Sequence, residues 1–200
     1  MAKFLSAVAV LGVLLPFTQA QSSFIDDCTT FNSNLYTKAN WTAGLGSVLP
    51  SNVNPSGGGV LNIEIPAGTR YGGEIVSKAQ YSYGQGTSTS DEIDVEVYLS
   101  QGKWEIAFTI YRLGVKEWSH GYFPTWDPSA GYNDYMIDYQ EAALSFYVNG
   151  ALEAQFHTPS QQPTHAMNIQ LNTWFPAWLN GAAASSIQFM QVNQISYTQS

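Results

Sequence analysis

The segment from Glu92 to Leu99 constrains the fold more than any other, because polar and aliphatic side chains alternate along it without a break. Successive side chains of a β-strand point to opposite faces of the sheet. The segment is therefore predicted to be a strand with one face in a core and the other face lined by acidic groups. The core face holds Ile93, Val95, Val97 and Leu99, and the opposite face holds Glu92, Asp94, Glu96 and Tyr98.

Other short runs of strand-forming residues are separated by Gly, Pro, Asn and Ser. They predict further strands at 60–65, 103–111, 144–148, 151–156, 167–171 and 187–197. Asn149-Gly150 is a strong signal for a two-residue hairpin turn. No heptad, internal repeat or linker is visible. The pattern predicts an all-β fold, a sandwich of two antiparallel sheets of the jelly-roll type, with residues 21–200 forming one domain.

Composition narrows the function. The chain has 7 basic and 15 acidic residues, a net charge of −8, so it lacks the Lys/Arg footprint of a nucleic-acid-binding protein. Charged residues make up only 11% of the chain and aromatic residues 14%, whereas a typical domain carries about 25% charged residues. Few charges and many aromatic rings favour a neutral, ring-shaped ligand.

Residues 1–20 are predicted to be a secretory signal. Lys3 supplies a positive end, Phe4–Leu15 is an apolar run too short to cross a bilayer, and Ala20 precedes the expected cleavage before Gln21. No other apolar run is long enough for a membrane span. We therefore expect a secreted protein without a membrane partner once the signal is cleaved.

Two further features fit a secreted chain. Asn40-Trp41-Thr42 is the only N-x-S/T acceptor, so Asn40 is predicted to be glycosylated. Cys28 is the only cysteine, which excludes a disulfide within the chain, and we interpret it as a buried, inert thiol rather than a reactive one.

Three acidic side chains on one strand face are costly, because Asp and Glu are depleted in strands and like charges repel. A solvated outer face and a metal site are alternatives, but no His lies near the segment. The functional interpretation is a pair of carboxylates that flank a glycosidic bond. The backbones of Glu92 and Glu96 are separated by about 13 Å, and their side chains can lean toward the roughly 5–5.5 Å used by retaining glycosidases. Asp94, between them, can separate their pKa values.

Asp91-Glu92-Ile93-Asp94-Val95-Glu96 matches DEIDxE, the signature of the catalytic strand of glycoside hydrolase family 16. The chain resembles this family over roughly residues 60–200. Further similar stretches, in the family's order, are 73–78, 135–139, 144–150 and 172–179.

The resemblance implies a β-jelly roll whose concave face holds a linear β-glucan. It implies retaining chemistry with Glu92 as nucleophile, Glu96 as general acid/base and Asp94 as the assisting carboxylate. The implied substrate contacts are Glu74, Tyr111, Asn172, Trp174 and Trp178, although core packing remains an alternative for the tryptophans. We expect a monomeric secreted endo-β-glucanase or transglycosylase that acts on β-1,3/1,4-glucans of cell walls, and the sequence assigns it no cofactor and no metal-ligating residues.

The chain departs from the family in two places. Thr109 stands where many lichenases have Asn, which removes an amide contact with substrate. Only residues 85–90 separate Tyr83-Gly84 from the signature, where the family has two strands. We therefore expect the catalytic strand to lack a neighbour. The alternative function is a non-catalytic, lectin-like glucan-binding protein on the same fold.

The histidines carry no motif. His120, His157 and His165 lie in different segments without the spacing of metal ligands. All three are interpreted as surface or loop residues.

Overall fold

The structure is a computed structural model that describes residues 4–7, 22–81, 91–140, 142–165, 167–179 and 181–198. Most of the predicted signal segment, Tyr83-Gly84 and the connection 85–90 lie outside these residues. No helix in the described ranges is long and apolar enough to cross a membrane.

The described residues form strands and three short 3-10 helices. The strands are β1 (Phe4–Ala7), β2 (Phe24–Asp26), β3 (Tyr36–Lys38), β4 (Trp41–Ala43), β5 (Gly46–Val48), β6 (Val53–Pro55), β7 (Leu61–Ile65), β8 (Tyr71–Tyr81), β9 (Glu92–Ser100), β10 (Lys103–Arg112), β11 (Val115–Tyr122), β12 (Tyr135–Tyr139), β13 (Leu144–Val148), β14 (Ala151–Phe156), β15 (Met167–Thr173), β16 (Gln188–Val192) and β17 (Ile195–Tyr197). The 3-10 helices are Pro50–Asn52, Pro159–Gln161 and Ala177–Leu179.

The largest sheet has the order β11-β10-β9-β1-β15-β8-β5-β4, with β3 also paired to β8. Smaller sheets are β12-β13-β14, β16-β7-β6 and β17-β2. The all-β, jelly-roll prediction is confirmed. The division into a signal and a single domain over 21–200 stays a prediction.

The core lies against the aliphatic face of β9. Ile93, Val95 and Val97 are at most 1% exposed, as the alternation predicts, and burial of each such side chain contributes roughly 1.5–3 kcal/mol. Phe108 of β10 stacks on Phe146 of β13 with ring centroids 4.7 Å apart. This contact packs the large sheet against the β12-β13-β14 sheet, and Phe108 itself lies opposite Val95 of β9.

A tight turn sets the register of β9 against β10. Gln101 and Gly102 both have positive φ, 49° and 78°, which suits a two-residue hairpin of the type that matches strand twist. The resulting cross-strand pairs are Glu92–Tyr111, Asp94–Thr109, Glu96–Ala107 and Tyr98–Glu105. Paired residues share a face of the sheet, so the acidic row of β9 and alternate residues of β10 lie together.

On its other edge, β9 pairs with β1. Ser6 of β1 lies opposite Glu96 on one side and opposite Asn172 of β15 on the other. A segment of the predicted signal thus lies beside β9.

The bounds of the predicted strands agree with the structure to within two residues except near the end of the chain. The predicted strand 187–197 is wrong as a single element, because it is divided by a bend at Asn193 into β16 and β17. The two parts pair with different strands, β16 with β7 and β17 with β2. The Asn149-Gly150 hairpin is confirmed, with φ of 51° and 79° at its two turn residues.

Candidate active site

A cleft of about 180 Å³ lies on the acidic face of β9. Of the eight residues assigned to catalysis and substrate contact from the sequence, seven line it: Glu92, Asp94, Glu96, Tyr111, Asn172, Trp174 and Trp178. They come from β9, β10, β15 and the segment after β15, so the sheet register assembles the site from distant parts of the chain.

Glu74, the remaining predicted contact, lies next to the cleft lining. It sits on β8 directly opposite Asn172 and is only 3% exposed. Burial raises the pKa of Glu74 to about 7, the side-chain amide of Asn172 lowers it by hydrogen bonding, and the charge of Glu92 raises it further. Glu74 therefore supports Asn172 from the neighbouring strand.

Asp94 is the most deeply buried carboxyl of the row, with 7% exposure. Burial raises the pKa of Asp94 well above its usual range, and the charges of Glu92 and Glu96 and a hydrogen bond with Glu92 act in the same direction. A protonated Asp94 donates that hydrogen bond to the Glu92 carboxylate. The Oδ1 atom of Asp94 is buried without a hydrogen-bond partner among the described residues. The hydrogen bond of the Asp94 side chain is the one with Glu92.

The two outer carboxyls lie in different environments. Glu92 is exposed, whereas Glu96 is half-buried. Burial raises the pKa of Glu96 to about 7; the charges of Glu92 and Glu105 raise it as well, and Lys116 lowers it. Glu96 can therefore hold a proton near neutral pH, as a general acid must.

Tyr111 lies opposite Glu92 on the adjacent strand. Burial raises its pKa, and the charges of Asp94, Glu92 and Glu96 raise it further. A phenol in this position remains protonated and can donate a hydrogen bond to a carboxylate or to a ligand oxygen.

Two indole rings border the carboxyls. Trp174 is half-buried just after β15, and Trp178 lies in the 3-10 helix Ala177–Leu179 with 53% of its surface exposed. The ring of Tyr98 meets Trp178 edge to face, with centroids 5.0 Å apart. An exposed indole next to paired carboxyls provides an apolar platform for a neutral ring, so core packing does not account for Trp178.

The sequence interpretation missed two residues of this region. Tyr98 was placed on the acidic face but given no role, and Glu105 was not singled out. The side chains of Tyr98 and Glu105 are hydrogen-bonded to each other. The signal that could have found this pair is the Gln101-Gly102 turn, whose two-residue loop fixes Tyr98 opposite Glu105.

Asp91 anchors the start of β9. Its carboxylate accepts hydrogen bonds from the backbone N–H groups of Leu113, Thr164 and His165 at 2.7–2.9 Å. The Nδ1 atom of His165 lies 2.8 Å from the same carboxylate. Burial raises the pKa of Asp91, but these hydrogen bonds outweigh it and bring the pKa below its ordinary value.

The histidines lie at the surface or in loops, as predicted. His120 and His157 are exposed, and His165 is a half-buried loop residue that contacts Asp91. Among the described residues, no three His, Cys, Asp or Glu side chains are arranged to hold a metal ion.

The remaining assigned residues lie away from the cleft lining. Asn40 is exposed immediately before β4. Cys28 is 2% exposed, and burial raises the pKa of its thiol to about 12, with Asp26 and Asp27 adding to the effect. The thiol is therefore protonated and inaccessible.

Comparison with known proteins gives a consistent family. The model of a family described as "Glycosyl hydrolases family 16" matches residues 76–191. A β-glucanase of Paenibacillus macerans is 27% identical over 110 residues, which is 54% of this chain and 46% of the relative. A β-glucanase of Paenibacillus polymyxa is 26% identical over the same shares. The match thus spans about half the length of these curated relatives.

Solved structures agree with the fold. The structure of Bacillus licheniformis β-glucanase superposes with a TM-score of 0.78 at 22% identity, covering 91% of this chain and 100% of that one. The catalytic domain of an endo-1,3-β-glucanase (laminarinase) from Thermotoga petrophila gives 0.67 at 14% identity, covering 89% and 97%.

Proposed function

The chain belongs to the glycosyl hydrolases of family 16, and from that premise we propose that it is a retaining endo-β-glucanase or transglycosylase. One observation carries the proposal: three carboxyls on one face of β9 line a cleft together with two indole rings. The environments of the outer carboxyls differ as a glycosidase that pairs a carboxylate with a protonated acid requires, one exposed and one half-buried with a raised pKa.

In the first step, Glu92 attacks the anomeric carbon of the sugar. A bond forms between its carboxylate oxygen and that carbon, the glycosidic bond breaks, and Glu96 transfers its proton to the departing oxygen. Asp94 assists by donating a hydrogen bond to Glu92 before attack, which orients the nucleophile.

In the second step, Glu96 acts as a base. It removes a proton from water or from a sugar hydroxyl, whose oxygen attacks the anomeric carbon and displaces Glu92. Water gives hydrolysis and a sugar hydroxyl gives transglycosylation. The open cleft with its exposed Trp178 can receive either acceptor.

We propose a neutral β-1,3/1,4-glucan of cell walls as the substrate. Similar proteins are named β-glucanases and a laminarinase, and indole rings offer apolar platforms without charge. Thr109 lies opposite Asp94, buried and with its hydroxyl 3.3 Å from that of Ser119. Its hydroxyl is thus directed to a neighbouring strand, and Thr109 is not among the residues that line the cleft.

Secretion, cleavage after Ala20, glycosylation at Asn40 and a monomeric state are further parts of the proposal. The exposure of Asn40 supports modification there. The mature N-terminus of the secreted protein tests the cleavage, and a mass loss on deglycosylation that is absent in Asn40→Gln tests the glycosylation. The molar mass in solution tests the monomeric state.

A purely glucan-binding role is not favoured. Burying Asp94 and giving Glu96 a raised pKa costs stability, and a binding protein gains nothing from that arrangement.

The direct test measures release of reducing ends from mixed-linkage glucan and from β-1,3-glucan. Glu92→Gln should abolish release and leave the melting temperature nearly unchanged. Glu64→Gln, a glutamate of β7 outside the cleft lining, is the matched control and should retain full activity. Pull-down on insoluble glucan without release by the unmodified chain would favour the binding role instead.

A further inference from the structure

The acidic row of β9 continues beyond Glu96 to Tyr98, which faces the same side of the sheet. Tyr98 lies opposite Glu105 of β10, and its phenolic O–H donates a hydrogen bond to the Glu105 carboxylate. The ring of Tyr98 also contacts the ring of Trp178 edge to face, with the ring centroids 5.0 Å apart. Three side chains thus connect β10, β9 and the 3-10 helix after β15.

The backbone of β11 leaves room for the Glu105 carboxylate. A Cβ atom at Gly121 would lie only 2.7 Å from Oε1 of Glu105, well inside van der Waals contact. Any larger residue at position 121 would therefore displace that carboxylate. The glycine defines where the acceptor for the Tyr98 hydroxyl can lie.

Trp178 depends on such support. It belongs to a 3-10 helix of three residues, whose hydrogen-bond geometry is poorer than that of an α-helix, and about half of its surface is open to solvent. An edge-to-face contact between aromatic rings restricts the orientation of both. The hydroxyl of Tyr98, fixed by Glu105, extends that restriction to the ring that faces the cleft.

We propose that Glu105 is a positioning residue that acts through Tyr98 to hold Trp178 as a sugar platform at the Glu96 end of the cleft. The inference rests on the proposed function, since it assigns the pair to the same glucan site. Glu105 itself does not line the cleft.

Substitutions separate the hydrogen bond from the ring contact. Tyr98→Phe removes the donor and keeps the ring, Glu105→Ala removes the acceptor, and Glu105→Gln keeps a neutral acceptor. Loss of the hydrogen bond should weaken binding of a β-glucan tetrasaccharide roughly three- to tenfold. Glu105→Gln should restore affinity to within about twofold of the unmodified residue.

The binding is measured by titration calorimetry in a Glu92→Gln background, so that no turnover interferes. A double-mutant cycle pairs Tyr98→Phe with Trp178→Ala. If Tyr98 acts through Trp178, Tyr98→Phe has no further effect once the indole is removed. The proposal would be overturned if the fold-changes in affinity of the two substitutions multiplied in the double variant, as they do for independent residues. An unchanged affinity in Tyr98→Phe would also overturn it. In the active enzyme, Tyr98→Phe should raise KM and leave kcat within twofold.

A measurement without sugar tests the positioning of Trp178 independently of glucan cleavage. The fluorescence of Trp178, obtained as the difference from a Trp178→Phe reference, is quenched with acrylamide. Quenching should rise in Tyr98→Phe and Glu105→Ala but not in Glu105→Gln, whether or not the protein cleaves glucan. Equal quenching in all four proteins would refute the positioning role, whereas absent turnover with this pattern intact would refute only the hydrolase assignment.

Discussion

Replacing Glu74 by Gln should change how the stability of the protein depends on pH. Glu74 is a buried carboxyl on β8 with 3% exposure, and its pKa is raised to about 7, mainly by burial. Glutamine keeps the size and a hydrogen-bond acceptor for the amide of Asn172, but it carries no charge at any pH. The substitution therefore removes the ionisation and little else.

The magnitude follows from the two pKa values. The folded protein binds the Glu74 proton more tightly than the unfolded chain, so this group contributes its full stability below pH 4.5 and loses it as pH rises toward about 7. A rise of the pKa from 4.5 to about 7 corresponds to about 3 kcal/mol. Relative to the unmodified protein, Glu74→Gln should gain up to that amount between pH 4.5 and pH 8.

The assay is urea unfolding of both proteins at several pH values, with the difference in unfolding free energy plotted against pH. Asp94 and Glu96 are present in both proteins, so their contributions to the pH dependence of the unfolding free energy cancel in the difference. Asp27→Asn is a control of opposite sign, because hydrogen bonds from Thr29 lower the pKa of Asp27; it should show no gain at high pH. A pH-independent difference for Glu74→Gln would refute the assignment of Glu74 as a carboxyl kept neutral by burial.

Three other predictions follow from the site and the core. The value of kcat/KM should fall about tenfold per pH unit above about 7, as Glu96 loses its proton; a flat profile to pH 9 would contradict its role as the acid. Asp91→Asn should lower the unfolding free energy by roughly 1–3 kcal/mol, because three backbone N–H groups share that carboxylate, and an unchanged urea midpoint would argue against the anchor. Phe146→Ala should cost about 3–5 kcal/mol by removing the stack on Phe108, with a loss below 1 kcal/mol as the contrary result.

The fold was predictable where local pattern and burial agree. The alternation from Glu92 to Leu99 predicted the burial of Ile93, Val95 and Val97, which are among the least exposed residues. It did not predict that Asp94 on the opposite face is buried or that Leu99 is only half-buried. The positive-φ turn at Asn149-Gly150 is equally local. A strand's partners are set by contacts far along the chain, however. For this reason the pairing of residues 4–7 with β9 and β15 and the division of 187–197 were not predictable from periodicity.

The site was predictable to the extent that its residues carry a motif. The carboxyl row was identified from spacing, and the contacts on β10 and β15 from resemblance, and they meet in one cleft. Glu105 has no motif and becomes relevant only through the register that places it opposite Tyr98. The environments that distinguish Glu92 from Glu96 are likewise products of packing, which the identical side chains do not reveal.

The central claim is that Glu92 forms a covalent bond to the sugar while Glu96 supplies the proton. Mass spectrometry of the protein after reaction with a 2-fluoro glycoside of a β-glucan disaccharide tests it most directly. The account predicts a mass gain of one glycosyl unit, located by peptide mapping on Glu92 and absent in Glu92→Gln. Glucan cleavage without an adduct, or an adduct on any other residue, would contradict it.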